Sequence, residues 1–286
     1  MKYALEIEGL RKKYGEFMLH DVDLRVPTGS IVGLIGENGA GKSTTMKAAL
    51  DLLQKEKGRI WFFGKELKDF TLEEREKIGV VFDSLNFSET LTPEQIGKIC
   101  RKIYHKWEQS EYEKRLAAFH LPKDKVLKTF SKGMKAKFSL AVALSHRAEL
   151  LLLDEPTSGL DPVMRDEILD IFLEYVQDEN HSILVSSHIT SDLEKIADYI
   201  VFLHEGEVML HEAKDELLYQ YGVIRCRKDE LMQIQSEDIV AYRFMDYQCN
   251  VLVRDRRRAM QRYKNMMIDP VSIDEIMLFY VKGERR

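Results

Sequence analysis

Residues 29–50 read GSIVGLIGENGAGKSTTMKAAL. Ile31 to Ile35 is a short apolar run that reads as a buried strand, and a helix is predicted from about Lys42. Between them, Gly36-Glu37-Asn38-Gly39-Ala40-Gly41-Lys42-Ser43 has the spacing G-x4-G-K-[ST], with Thr44 directly behind it. The glycines let the loop wrap so that backbone N–H groups point inward at phosphates. In this reading Lys42 reaches the β and γ phosphates and the Ser43 hydroxyl ligates Mg²⁺. Gly36 through Thr44 is the candidate nucleotide-binding set. The loop alone does not separate a kinase from a GTPase or a motor.

AELLLLDEPTSGLD, residues 148–161, narrows the class. Leu150 to Leu153 is unbroken and apolar, as a central parallel strand buried on both faces should be. It ends in Asp154-Glu155, two carboxylates at the strand edge where ligands of open α/β sheets gather. Neighbouring residues point to opposite sides, so the two acids have different tasks. Asp154 is the candidate metal ligand, directly or through water. Glu155 is the candidate base that orients and deprotonates an attacking water. A third strand is expected from Ser182 to Ser186 in HSILVSSHI, delivering His188 to the same edge, within hydrogen-bonding reach of a γ-phosphate. Lys42, Glu155 and His188 are the candidate catalytic residues.

TFSKGMKAKFSL, residues 129–140, poses a question of its own. A polar turn opens a helix on which Met134, Phe138, Ala141 and Ser145 recur at helical spacing. A glycine-containing helix start collects free N–H groups, which suit an anion. Nothing nearby in the sequence supplies one.

The order of these segments resembles the nucleotide-binding domain of ATP-binding cassette (ABC) transporters, across about residues 3–215. The resemblance implies an α/β fold: a P-loop ABC ATPase core with an antiparallel β subdomain and a helical subdomain. It implies ATP and Mg²⁺ as cofactors and Tyr14 as the platform for adenine. FSKGM occupies the place of the family's LSGGQ signature, which caps ATP held by the opposite subunit. Two chains then pack head to tail around two ATP molecules. The anion facing Ser131 and Gly133 is the γ-phosphate of the partner's nucleotide, and Ser158 to Asp161 crosses the same interface.

Three positions depart from the family pattern. Lys132 replaces a glycine and Met134 a glutamine of the signature; Lys132 either reaches a phosphate or faces solvent. Asp83, in IGVVFDSLNFSETLTPEQ, stands where the family places a metal-contacting glutamine. Aspartate keeps an oxygen ligand suited to a hard cation, which makes Asp83 a candidate metal ligand beside Ser43 and Asp154.

The remaining chain supports this organisation. Residues 1–221 are expected to form the nucleotide-binding domain, with a helical insertion at about 84–147. Residues 222–286 are expected to form a small α+β C-terminal extension resembling those of some bacterial exporter ATPases. Its strands are VIRCR, VAYRFMD and CNVLVRD; RRRAMQRYKNM and SIDEIMLFYVKGE read as helices, the latter with a Ser272–Glu275 capping box. The chain has 286 residues, 44% hydrophobic and 32% charged, with a net charge of -5, which gives no reason to expect nucleic acid as partner. The start lacks the apolar run of a secretory signal, and the longest apolar segments are far too short to cross a bilayer. Cys100, Cys226 and Cys249 lack metal-ligand spacing and fit reduced cytoplasmic thiols. The expected protein is the ATPase subunit of a bacterial exporter, cytoplasmic and held at the membrane by a separate integral membrane subunit. Its other partner is a second copy or a paralogue. Its cargo is expected to be amphipathic or antimicrobial peptides, lipids or drugs. The competing reading is a soluble ABC ATPase acting on ribosomes or nucleic acid.

Overall fold

The computed structural model describes residues 2–285. Strands β1 (Tyr3–Tyr14) and β2 (Phe17–Pro27) pair antiparallel. Leu5, Ile7 and Leu10 of β1 are buried with Leu19, Val22, Leu24 and Val26 of β2, while polar neighbours face out. This is the alternation of a sheet with one wet face. β3 (Ile31–Ile35) is buried throughout and feeds α1 (Lys42–Ala49). β4 (Lys57–Phe62) and β5 (Lys65–Glu66) complete the antiparallel sheet in the order β2-β1-β4-β5. The one-turn helix α2 (Leu72–Arg75) then leads into β6 (Ile78–Val81).

Helices α3 (Pro93–Ile103), α4 (Gln109–Ala118) and α5 (Lys132–Ala143) share their own apolar cluster around Ile96, Tyr112, Leu116 and Phe138. Helix α3 starts where its sequence says it should. Thr92 accepts from the Gln95 N–H, Gln95 accepts from the Thr92 N–H, and Pro93 needs no donor at the first position. The chain continues through β7 (Leu150–Asp154), α6 (Pro162–Tyr175), β8 (Ser182–Ser187), α7 (Thr190–Ile196), β9 (Tyr199–His204), β10 (Glu207–Ala213) and α8 (Lys214–Tyr219).

The central sheet has the order β10-β9-β3-β8-β7-β6, parallel except for β10. Its register positions the site. Ile35 lies beside Ser187 and Asp154 beside Ser186, so β3, β7 and β8 end together. The phosphate loop, the two acids and His188 therefore leave the sheet at one edge.

After Tyr221 come β11 (Gly222–Arg227), β12 (Ile239–Met245), β13 (Gln248–Val253), α9 (Arg256–Arg262), β14 (Met267–Pro270) and α10 (Ile273–Lys282). The sheet order β12-β13-β11-β14, antiparallel throughout, is that of a split β-α-β unit whose first crossover is made of 3₁₀ turns. Two expectations need correction. The helix expected over 256–266 stops at Arg262, because Tyr263 turns in and its hydroxyl donates to Asp238 at 2.6 Å. The chain beyond it becomes β14, which has little strand character of its own but pairs with the open edge of β11. At α10 the Ser272 oxygen caps the Glu275 N–H, but the reciprocal half of the box is absent; the Glu275 carboxylate turns to Arg225, 3.5 Å away.

One apolar cluster joins this sheet to the rest of the chain. Val223, Ala241, Leu252, Ile276 and Phe279 pack with Leu193, Ile196, Ile200 and Leu217. All three cysteines are free and buried. Burial pushes the Cys100 thiol up to about 11 and that of Cys226 up to about 12, so both remain protonated at neutral pH.

Gly206 fastens β2 and the phosphate loop together. Its carbonyl accepts from His20 N at 2.8 Å and its N–H donates to Ala40 O at 3.0 Å. Its φ is +84°, and a Cβ there would lie 1.9 Å from the Met18 carbonyl oxygen. Gly64 has a similar φ of +79° but open space around it. Gly206→Ala is predicted to cost about 1–3 kcal/mol more than Gly64→Ala in urea unfolding, the usual range for overpacking against a fixed neighbour. Equal costs would show that the contact with Met18 yields freely.

Candidate functional site

The loop of residues 36–41 climbs from β3 over the start of α1. Gly36 is held close: a Cβ there would sit 2.4 Å from the Leu203 carbonyl oxygen. Gly41, at φ +110°, takes the N-cap position of α1 and brings no side chain to it. The first turn also lacks an acid. The N–H groups of that turn, which no helix can satisfy from within, thus have neither a capping oxygen nor a carboxylate. That is the cradle an anion fits. Glu37, Asn38 and Gly39 are exposed on the loop, Ala40 is buried, and Ser43 and Thr44 are half-buried at the mouth of the helix.

Lys42 is only 5% exposed, and its ammonium donates to the carbonyls of Gly36 at 2.6 Å and Glu37 at 3.2 Å. The same nitrogen lies 3.2 Å from Glu155 Oε1. A buried ammonium needs this much compensation, because burying a charge without partners costs several kcal/mol.

Asp154 and Glu155 make different contacts. Asp154 is buried and accepts from Ser186 Oγ at 2.7 Å. That same Ser186 oxygen accepts from the Glu155 N–H at 3.0 Å. Glu155 stands just beyond the strand in the left-handed region, φ +51°, which costs a non-glycine residue of order 1–3 kcal/mol and is held by its surroundings. The turn throws its carboxylate toward the phosphate loop. Oε2 meets His188 Nδ1 at 2.7 Å, while Oε1, although near Lys42, is buried and makes no hydrogen bond. Lys42 and His188 thus hold the Glu155 carboxylate at the edge of the sheet, beside the phosphate loop.

The other candidates are more dispersed. Tyr14 ends β1 with 68% of its surface exposed, a ring free to stack. Asp161 caps α6, accepting from the N–H groups of Val163 and Met164. Ser131 caps α5, accepting from Met134 N at 3.2 Å, and is exposed. Gly133 is buried within its own chain; a Cβ there would lie 3.0 Å from Met164 Cγ. Of the SKGM turn, it is Ser131 and Lys132 that face outward. Lys132 faces solvent, one of the two courses expected of it, and also meets a carboxylate of its own chain. Its ammonium lies 3.5 Å from Asp83, and both side chains are more than half exposed.

These oxygens suit a small hard cation. Among the described residues no three His, Cys, Asp or Glu side chains converge as a self-sufficient metal cage. Ser43 lies in the phosphate-loop motif, Asp154 ends β7 and Asp83 follows β6; they are few and all offer oxygen. A cation that keeps waters and phosphate oxygens among its ligands is served by such a sparse set.

The ABC transporter family model matches residues 19–158, which include the phosphate loop, Asp154 and Glu155. The bacitracin transport ATP-binding protein BcrA of Enterococcus faecalis is 37% identical over 212 residues, covering 73% of this chain and 69% of that protein. This chain belongs to the ABC transporter family. The ABC transporter ATP-binding protein YtrB of Bacillus subtilis is 28% identical across 99% of both chains, C-terminal sheet included. A solved structure of an ABC transporter ATP-binding subunit is 32% identical, covers 75% of this chain and 91% of its own, and superposes with a TM-score of 0.67. The chain is accordingly an ATP-binding, ATP-hydrolysing cassette with the α/β fold expected of it.

Two residues of this ABC ATPase's site were not singled out from sequence. Ser186, in the SSH segment, orients Asp154 and fixes the Glu155 backbone; a serine at a parallel strand end beside an acidic one was the available signal. Thr157 donates to the buried Asp192 at 2.8 Å, anchoring the loop behind Glu155 to α7. Nothing local to DEPT announces that bond.

Proposed function

We propose that this ABC ATPase works as a head-to-tail pair around two Mg-ATP and drives a separate integral membrane protein that exports amphipathic or antimicrobial peptides. The observation that carries the chemical part is the convergence of Lys42, Glu155 and His188 beside an uncapped α1. Magnesium, when bound, would neutralise phosphate charge and hold the phosphates in place. Ser43 and Asp154 would hold the metal, with Asp83 able to contribute a carboxylate. Lys42 would exchange its carbonyl partners for phosphate oxygens. Glu155 would accept the proton of the attacking water at a carboxylate oxygen, and His188 would fix the carboxylate through Oε2. Tyr14 would stack on adenine. Ser131, with the Gly133 backbone behind it and the loop of Asp161 alongside, would close the site of the opposite subunit.

The transport part rests on kinship with BcrA and YtrB and on the chain itself. No helix among the described residues is long and apolar enough to cross a membrane, which fits a membrane path supplied by a separate subunit. The net charge of -5 speaks against nucleic acid as the competing partner. Affinity purification of the tagged chain from its native membranes, solubilised in mild detergent, is the test. A stoichiometric polytopic protein is the expected companion. Recovery with ribosomes, and none with membrane protein, would overturn the transport reading and favour the soluble alternative.

A further inference from the structure

The two charged departures from the family pattern meet each other. Val81 of β6 pairs with Leu153 of β7, so the chain beyond β6 carries Asp83 to the level of Glu155 at the edge of the site. Lys132, from the first turn of α5, reaches back to it. The ammonium also lies against the Ser158–Asp161 loop, since a Cβ on Gly159 would come within 3.0 Å of Lys132 Nζ. Asp83, Lys132, Glu155 and Leu160 line one cavity. Helix α5 opens with Lys132, Lys135 and Lys137 and no acid in its first turn, against the direction of its dipole. Each lysine is met from elsewhere in the chain: Lys132 by Asp83, Lys135 by Glu89 at 2.5 Å, and Lys137 by Glu167. Two of those acids lie on the segment that follows β6.

A carboxylate paired with an ammonium is a poorer ligand for a divalent cation than the same carboxylate left free. We propose that Lys132 is a positioning residue that competes with the metal for Asp83. The pair sets the magnesium concentration at which the site loads, and loading the site releases Lys132 from its own chain. This rests on the metal reading of Asp83 above and deepens it. The two substitutions are thereby one device: aspartate at 83 adds a metal-seeking charge, and lysine at 132 restrains it.

The test is a magnesium titration of fluorescent ATP-analogue binding in a Glu155→Gln background, where turnover does not interfere. Both side chains are exposed, and methionine keeps the unbranched stem of Lys132. Lys132→Met is expected to lower the magnesium midpoint about two- to fivefold, the span of an exposed ion pair, and less at high salt. Asp83→Asn alone should raise the midpoint. Adding Lys132→Met to Asp83→Asn should then change nothing. A shift of equal size with either residue at 83 would make Lys132 a source of general field only, and no shift at all would make the pair inert; either result overturns the proposal. A parent protein that binds the analogue without any dependence on magnesium would instead refute the metal site itself, and the pair with it.

Discussion

Glu155→Gln is expected to bind Mg-ATP as the parent does and to hydrolyse it at least about a hundredfold more slowly, the usual worth of a positioned base. Glutamine has the shape to take the contact that Glu155 makes with His188 Nδ1. It cannot take a proton. The left-handed backbone at position 155, fixed through Ser186, does not depend on the side-chain charge. Loss of turnover with retained binding therefore isolates basicity from architecture. Single-turnover hydrolysis beside equilibrium nucleotide binding measures both. Turnover within a few-fold of the parent would transfer the base's role elsewhere, with His188 the nearest alternative.

Mixing two inactive proteins, Ser131→Asp and Lys42→Ala, is expected to restore hydrolysis. The pairing proposed above draws the phosphate grip from one chain and the cap from the other. In a mixed dimer one site then carries both defects and the other carries none. With random pairing, about a quarter of parental activity should return if the sites work independently. Ser131→Asp is preferable to a change at Gly133, which is buried under Met164 and would disturb its own chain. Aspartate is as good an N-cap as serine and is favoured by the dipole of α5, so the fold should be unharmed. What it adds is a negative charge facing a phosphate. If the two sites must fire together, activity would stay absent, and a second measurement decides. In a Glu155→Gln background, ATP should dimerise the parent on size exclusion, while Ser131→Asp should remain monomeric. Dimerisation equal to the parent would show that this turn does not face nucleotide.

The amino-acid sequence determined the phosphate loop, the buried strands on either side of the site, the paired acids and the starts of helices α3, α5, α6 and α10. Each of these is written within a few residues: glycines for a wrapping loop, unbroken apolar runs for doubly covered strands, and Thr92, Ser131, Asp161 and Ser272 for helix N-termini. Tertiary structure alone decided the rest. It turned Met267–Pro270 into a strand because β11 had an edge to fill, and it joined the C-terminal sheet to the cassette's apolar core. It also buried Gly133, set Ser186 on Asp154 and His188 on Glu155, and closed Lys132 onto Asp83. The physical reason is the same in every case. Periodicity and turn chemistry act between neighbours along the chain, whereas a hydrogen bond or ion pair needs its two groups within a few ångströms. For residues dozens of positions apart, only the packing of the whole sheet and its helices supplies that distance.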